Sequence, residues 1–264
     1  MKKFEFTGET KTTINGIVLH RIKALVRIDL GYNTIIEVGD LGGWLEKEDN
    51  LSYLGSAWVS GDAEVFGNAR VFGDALISGY SMVFGNARVF GNTRVYNHAW
   101  VFGDAEVSDY AWIYGNAQVF DDAVVADSAW VFGDAEVSGY AQVFGDAEVH
   151  GNAQVSGYSR IFGNAEVLGD AKIYGDSRVY DDACINKCSH ILNVGPIGSR
   201  NEFTTFFRTK DRKIKVSCGC FLGTIDEFLE KVKQTHRDSK HAIVYRAAAD
   251  IALAQIDTSD EDDT

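Results

Sequence analysis

The sequence contains no long apolar run, few cysteines and fewer basic than acidic residues. No hydrophobic stretch approaches the ~20 residues of a membrane-spanning helix, and the first residues lack the apolar segment of a signal peptide. The 25 Lys and Arg against 38 Asp and Glu give a net charge of −13, which argues against a general nucleic-acid-binding or anionic-membrane surface. Four cysteines in 264 residues do not make a disulfide framework. We therefore expect a cytoplasmic protein.

Signatures of common cofactor and metal sites are also missing. There is no Walker loop and no G-x-G-x-x-G after a predicted strand, and the Asp-rich segments lack the Gly-Gly-x-Gly-x-Asp calcium repeat. Cys184, Cys188 and His190 could join Cys218 and Cys220 around zinc, but structural zinc sites usually use C-x2-C-type pairs. Buried thiols are the simpler interpretation, so the sequence predicts no metal and no cofactor.

What the chain does contain is glycine, 27 residues against one proline, and a six-residue repeat. From Val59 to Ile185 every sixth residue is Val or Ile, over 22 hexads without insertion or deletion. The residue two places earlier is Ala in most hexads, and two places later Gly is usual, followed by Asp or Asn. Four hexads replace this Ala with a hydroxyl residue, namely Ser81, Thr93, Ser159 and Ser177.

This repeat predicts a parallel β-helix with three short strands per coil. Residues two apart in a strand point to one face, so the Ala and the Val both point inward. Gly, Asp and Asn most readily take the left-handed backbone that a tight corner needs. A period of six does not fit an α-helix. The 22 hexads make about seven coils, and at ~4.8 Å per coil the column is roughly 35 Å tall.

The pattern resembles the left-handed parallel β-helix of the hexapeptide-repeat proteins. The aliphatic and small positions match their motif over residues 57–189, which implies a mainly β fold of that type, with the β-helix domain at residues 57–190. The residue after the aliphatic one departs from the motif, because it is mostly Phe, Ser or Tyr and only Ala126 obeys the family rule. The fold inference rests on the inward positions and is unaffected, whereas the inference of enzymatic activity is weakened.

The flanking segments do not keep the repeat. An open β-helix end exposes unpaired strands and core, so residues 1–56 are predicted to form an N-terminal β cap. Residues 191–256 predict a small α+β cap with strands at 203–208 and 213–218. Residues 257–264 predict an acidic, disordered tail.

Two helices are predicted within this C-terminal cap. Thr224 and Glu227 form a capping box that opens the first, which continues to about His236. The second runs from Ser239 to about Ile256. The predicted apolar face of the second helix consists of Val244, Ala247, Ala248 and Ile251.

Two N-terminal motifs carry a second resemblance. Leu19-His-Arg-Ile-x-Ala-Leu25 and Gly39-Asp-x-Gly-Gly-Trp44 are similar to the start of bacterial β-helix proteins labelled putative transferases, with related chains in phages and prophages. This resemblance implies a bacterial or phage-infected cell. It makes sequestration of a host signalling nucleotide one form that the function could take.

Aromatic residues recur on the predicted outer surface. Phe66, Phe84, Phe102 and Phe120 are 18 residues apart and are expected to stack as a ladder. A second ladder starts with Phe72 and Phe90 and resumes at Phe144 and Phe162. Such stacks stabilise a sheet, and monomers seldom expose so much apolar surface. We expect a homo-oligomer, with a trimer as the leading assembly and the first ladder at its interface.

Hexapeptide-repeat acyltransferases use an interface histidine as general base, and the repeat here contains His98 and His150. They are predicted to lie on one face about three coils apart, so they cannot form one site within a subunit. No loop interrupts the repeat to build an acceptor pocket. We expect no catalysis, with an acyl-CoA-dependent acyltransferase that uses His98 or His150 as the alternative.

One segment reverses the charge of the column beside it. Residues 58–190 contain 7 basic and 18 acidic residues, whereas residues 196–215 contain six basic and two acidic. The basic side chains suit a phosphate or carboxylate, or alternatively form a solvated hairpin that pairs with the acidic column. The candidate anion ligands are Arg200, Arg208, Lys210, Arg212, Lys213 and Lys215.

These observations favour a non-catalytic, oligomeric binding protein that holds a small anionic ligand or a host partner. The acyltransferase is the first alternative. A structural virion or assembly protein is the second.

Overall fold

The structure is a computed structural model that describes residues 2–31 and 33–259. Short strands, two residues long in each hexad, form the three faces of a parallel β-solenoid. Face 1 consists of Leu41–Leu45, Glu64–Val65, Met82–Val83, Trp100–Val101, Gln118–Val119, Glu136–Val137, Gln154–Val155 and Lys172–Ile173. Face 2 consists of Arg70–Val71, Arg88–Val89, Glu106–Val107, Val124–Val125, Gln142–Val143, Arg160–Ile161 and Arg178–Val179. Face 3 consists of Trp58–Val59, Leu76–Ile77, Arg94–Val95, Trp112–Ile113, Trp130–Val131, Glu148–Val149, Glu166–Val167 and Cys184–Ile185.

The inward pair of each hexad fills the solenoid core, as predicted. Ala117 and Val119, for example, are fully buried, and successive coils pair in register, as Trp100 does with Gln118. The buried hydroxyl groups that replace Ala all have hydrogen-bond partners, because each donates to a backbone carbonyl of the preceding corner. Ser81 Oγ donates to the carbonyl of Ser78 at 2.8 Å. These substitutions therefore leave no unpaired polar group in the core.

The corners require left-handed backbone where one coil stacks on the next. Gly79 has φ +71°, and a Cβ there would lie 2.9 Å from the backbone nitrogen of Asn97 in the next coil. Asn97 itself has φ +62°. Gly, Asn and Asp are the residues that accept this conformation most readily, which explains their recurrence at the corners.

The solenoid has about eight coils, one more than the repeat predicts. Leu41–Leu45 pairs in parallel with Glu64–Val65, and Leu51 forms a bridge with Val71, so a coil precedes the first regular hexad. This coil lacks the repeat signature, and the N-terminal strand Val18–Ala24 packs directly against it. A Cβ at Gly42 would lie 2.5 Å from Ile22 Cγ1.

An antiparallel hairpin covers the N-terminal end. Phe4–Thr12 pairs with Val18–Ala24, which in turn pairs with Leu41–Leu45, and the hairpin buries Phe4 and Ile22. Ile28–Asp29 pairs with Ile35–Ile36, and a 3-10 turn spans Glu48–Asn50. The predicted N-terminal β cap is thus present.

A four-stranded antiparallel sheet and two helices cover the other end. After a 3-10 turn at Cys188–His190, the strands are Ile191–Ile197, Glu202–Arg208, Ile214–Cys218 and Phe221–Thr224. Helix α1 spans Ile225–His236 and helix α2 spans Lys240–Gln255. On the second strand Phe207 packs into the solenoid core, whereas its neighbour Phe206 packs under the helices. The predicted mainly β fold, a parallel β-helix with a C-terminal α+β unit, is confirmed.

The predicted apolar face of α2 is wrong in three of its four residues. Val244, Ala247 and Ile251 are exposed, and the helix instead buries Ala242, Tyr245, Ala248, Ala249 and Ala252. Alanine lets α2 approach the sheet closely, and Tyr245 fills the remaining space beside Phe228. No helix among the described residues is both long and apolar enough to cross a bilayer. From residue 260 onward the predicted tail lies outside the described residues.

Candidate functional site

A cavity of about 210 Å³ opens in the C-terminal unit, beside helix α1. Its apolar wall comes from three aromatic rings, Phe221 before α1, Phe228 on α1 and Tyr245 on α2. The ring centroids of Phe228 and Tyr245 are 5.6 Å apart, with the planes at 87°. This edge-to-face packing holds the wall in place. We call this feature the C-terminal cavity.

Basic residues line the rim of the C-terminal cavity. Arg200 precedes the strand Glu202–Arg208, whereas Lys231 and His236 come from α1. The Arg200 guanidinium lies over Gly219, where a Cβ would be 3.2 Å from Nη1. Among the described residues, no acidic group forms an ion pair with Arg200 or Lys231, although Glu202 also lines the cavity. The rim therefore presents basic groups that are not neutralised by contact with a carboxylate.

Tyr245 and Cys218 add polar groups to the cavity. Burial, together with the nearby Cys218 thiol and a hydrogen bond between the two side chains, raises the pKa of Tyr245 to about 12, so its phenol is protonated at neutral pH. Cys218 Sγ accepts a hydrogen bond from Thr204 Oγ1 at 3.2 Å. The cavity thus combines hydrogen-bond donors and basic groups with an apolar wall, an arrangement that suits a small anion.

Of the six predicted anion ligands, only Arg200 lines this cavity. The structure places the others at or beyond the far end of the strand Glu202–Arg208. Lys210 Nζ is 3.3 Å from Glu166 Oε2, and Lys215 Nζ is 2.7 Å from Asp182 Oδ1. Both ion pairs join the hairpin to the acidic solenoid, as the alternative interpretation of the segment expects.

The remaining three predicted ligands have separate surroundings. Lys213 pairs with Asp211, and Arg212 lies at the hairpin turn with φ +60°. Arg208 is buried, and its Nη1 lies 3.1 Å from Nδ1 of the buried His190. The six basic residues therefore do not converge on one point.

Sequence reasoning missed Lys231, His236 and Tyr245. The prediction rested on the basic residues that cluster within 196–215, whereas these three residues belong to helices α1 and α2. The available signal was the α1 face that carries Phe228, Lys231 and Thr235 at helical spacing. Only the packing of α1 on the sheet shows that this helix face lies beside Arg200.

The two histidines of the repeat each follow a strand of face 3. His98 follows Arg94–Val95 and His150 follows Glu148–Val149, which lies three strands further along that face. His98 is exposed and stacks on Tyr80 with ring centroids 5.3 Å apart. His150 stacks on Phe132 at 4.6 Å, and its Nε2 lies 3.3 Å from Glu166 Oε1. They share no neighbours, so no single site contains both.

The predicted aromatic ladders are present. Centroid separations along Phe66, Phe84, Phe102 and Phe120 are 5.0, 4.9 and 4.9 Å, with the rings nearly parallel. The second ladder shows 4.7 Å between Phe72 and Phe90 and 5.3 Å between Phe144 and Phe162. Tyr96, Tyr114, Phe132 and His150 form a further ladder. The first ladder remains half-buried within the chain, and its role at an interface stays a prediction.

The chain matches no protein-family profile, and no curated protein matches it.

Proposed function

We propose that the protein is a non-catalytic binding protein in which the β-solenoid carries a C-terminal unit that holds a small anionic ligand. The observation that carries this proposal is the placement of Arg200 and Lys231 at the rim of an aromatic-walled cavity without a carboxylate partner among the described residues. An anion would gain charge-assisted hydrogen bonds there, and its planar parts would contact the rings.

The chemistry of the cavity supports a phosphate or a carboxylate as the recognised group. Arg200 offers a planar guanidinium that matches either anion bidentately, and Lys231 adds a second positive charge at the same cavity. The volume of about 210 Å³ is below the ~300–1,000 Å³ of pockets for drug-sized ligands. The ligand is therefore a small anion, or the phosphate-bearing part of a nucleotide whose remainder lies outside.

The resemblance to hexapeptide-repeat and phage-type chains gives this proposal a specific form. In a bacterial or phage-infected cell, the protein would sequester a host nucleotide signal, and oligomerisation would multiply the number of sites. This form depends on the anion site, so the binding experiment comes first.

Calorimetry of the full chain against inorganic phosphate, citrate, mononucleotides and cyclic nucleotides tests the proposal. Arg200→Ala should weaken binding about ten- to a hundred-fold, because one charge-assisted contact is worth about 1.5–3 kcal/mol. Lys213→Ala is the matched control, since it removes one positive charge from the same unit without touching the cavity. Native mass spectrometry of freshly purified protein detects a ligand retained during purification.

Two outcomes would contradict the proposal. If wild type and Arg200→Ala bind every anion equally weakly, and binding vanishes at physiological salt, the rim is only a charged surface. If the protein releases thiol from acetyl-CoA with an amine or hydroxyl acceptor, and His98→Ala or His150→Ala abolishes this, the acyltransferase alternative replaces it.

A further inference from the structure

A histidine and two glutamates meet on face 3 of the solenoid, away from the C-terminal cavity. Glu148 and Glu166 lie in register on adjacent strands, and His150 follows Glu148 by two residues. One ligand atom from each of the three side chains lies within 4.8 Å of the other two. All three residues are half-buried, so their charges are partly shielded from water.

The spacing of these atoms fits a four-coordinate metal ion. Ligand atoms about 2.0–2.1 Å from a tetrahedral ion are separated from each other by roughly 3.3 Å. His150 Nε2 and Glu166 Oε1 are 3.3 Å apart, which matches one edge of such a tetrahedron. Glu148 sits one coil spacing from Glu166, within reach of the same centre.

The register of the solenoid also places two like charges opposite each other here. Among the paired strand residues of the described solenoid, Glu148 and Glu166 are the only acidic pair in direct register. Elsewhere an acid faces a neutral or basic residue, as Glu106 faces Arg88. Like charges directly opposite are destabilising. Lys210 offsets part of this repulsion from the Oε2 side of Glu166, and a divalent cation between the two carboxylates would offset the rest.

Lys210 and Phe132 orient the candidate ligands. Lys210 Nζ lies 3.3 Å from Glu166 Oε2, which leaves Oε1 directed toward His150. The imidazole is held nearly parallel to the Phe132 ring, at 6°. Such outer partners fix the orientation of metal ligands in proteins.

We propose that Glu148, His150 and Glu166 bind one divalent transition-metal ion, with water completing the coordination. One imidazole nitrogen and carboxylate oxygens, without thiolate, favour a borderline ion such as Zn²⁺ or Co²⁺ over a soft ion such as Cu⁺. The site is independent of the anion cavity and of the function proposed for it.

The test uses Co²⁺ and Zn²⁺ with full-length protein dialysed against EDTA. Wild type should bind one ion per chain by calorimetry, and Co²⁺ should show the visible absorption bands of a low-coordinate site. His150→Phe should weaken binding at least about tenfold, as ligand-shell changes do, and Phe is the residue type that continues the ladder from Phe132. Glu148→Gln should weaken it similarly while preserving shape.

His98→Phe is the matched control, because His98 also stacks on an aromatic ring but contributes to no metal-ligand cluster among the described residues. It should bind the metal as wild type does. Far-UV circular dichroism and thermal melting must show that each variant is folded. The proposal fails if folded wild type takes up no ion, or if folded His150→Phe binds Co²⁺ as tightly as wild type.

Discussion

His190 is a buried histidine whose surroundings require the neutral imidazole. Its Nδ1 lies 3.1 Å from Nη1 of Arg208, a donor, so Nδ1 must be the acceptor in this contact. Burial, reinforced by the charge of Arg208, lowers the pKa of His190 to about 4, although Asp257 acts in the opposite direction. Protonation would place an N–H against the guanidinium inside the junction between solenoid and C-terminal unit.

We therefore expect the free energy of unfolding to fall as the pH falls from about 6.5 to about 4. In this window the unfolded chain binds a proton at His190 that the native chain does not, so native stability is lost by up to about 3 kcal/mol. Urea denaturation at pH 7.5 and pH 5 measures the change. His190→Gln, which keeps an acceptor but does not titrate, should reduce the pH dependence.

Carboxylates contribute to the same pH range in every variant, so the comparison between variants is decisive. His98→Gln removes an exposed histidine and should keep the wild-type pH dependence. Equal pH dependence in wild type and in folded His190→Gln would show that His190 does not carry the effect.

A single solenoid strand shows how the two sides of each coil differ. In the strand Gln142–Val143, Val143 is fully buried, whereas Gln142 points outward between Val124 and Arg160. Val143→Asp would bury a charge without a partner, which costs several kcal/mol. Gln142→Asp adds the same charge beside Arg160 and should change stability by less than about 1 kcal/mol.

Thermal melting and urea denaturation of the two variants test this prediction about the coil. Val143→Asp should unfold at a much lower temperature or fail to fold, while Gln142→Asp should resemble wild type. Equal melting temperatures for the two variants would contradict the inward placement of the repeated aliphatic residue.

Elements with a strict local rule were predictable, and elements set by tertiary packing were not. The hexad determines which residue of each strand points inward, and the Thr224–Glu227 capping box marks the start of α1, where Glu227 Oε2 accepts from the Thr224 amide at 2.8 Å. Helix α2 is apolar on nearly all sides, so its sequence does not identify the buried face. The buried face is the one that carries Tyr245, whose ring packs edge-to-face against Phe228.

The candidate site likewise contains one residue that the sequence indicates and others that only tertiary packing brings to it. Arg200 could be found from the reversal of charge along the sequence, but charge alone could not separate it from Lys210 and Lys215. Those two lysines form ion pairs with Glu166 and Asp182, because the hairpin packs on the last coils of the solenoid. Lys231 reaches the cavity only through the packing of α1, which no local pattern in the sequence specifies.

Along the β-solenoid, the aromatic ladders are the main apolar surface that a single chain leaves partly exposed to water. The ladder of Phe66, Phe84, Phe102 and Phe120 carries no polar atom on any ring and remains half-exposed. Tyr140 and Tyr158 also stack, at 4.9 Å, but their hydroxyl groups suit contact with water and they are 52% and 60% exposed. Burial of the phenylalanine ladder between subunits would be favourable by about 25 cal/mol per Å² of apolar surface.

We therefore expect a homo-oligomer, with a trimer as the leading assembly, in which the phenylalanine ladder lies at the interface. Light scattering at micromolar concentration should give about three times the chain mass of 29.0 kDa. The double variant Phe84→Ser/Phe102→Ser should dissociate, because it removes the centre of the apolar strip, while Tyr140→Ser/Tyr158→Ser should keep the wild-type mass. Circular dichroism must show that both remain folded, since each loses stacking contacts worth about 0.2–1 kcal/mol apiece. A wild-type mass of one chain would end the oligomer prediction, and an intact oligomer in the folded phenylalanine variant would place the interface elsewhere on the solenoid.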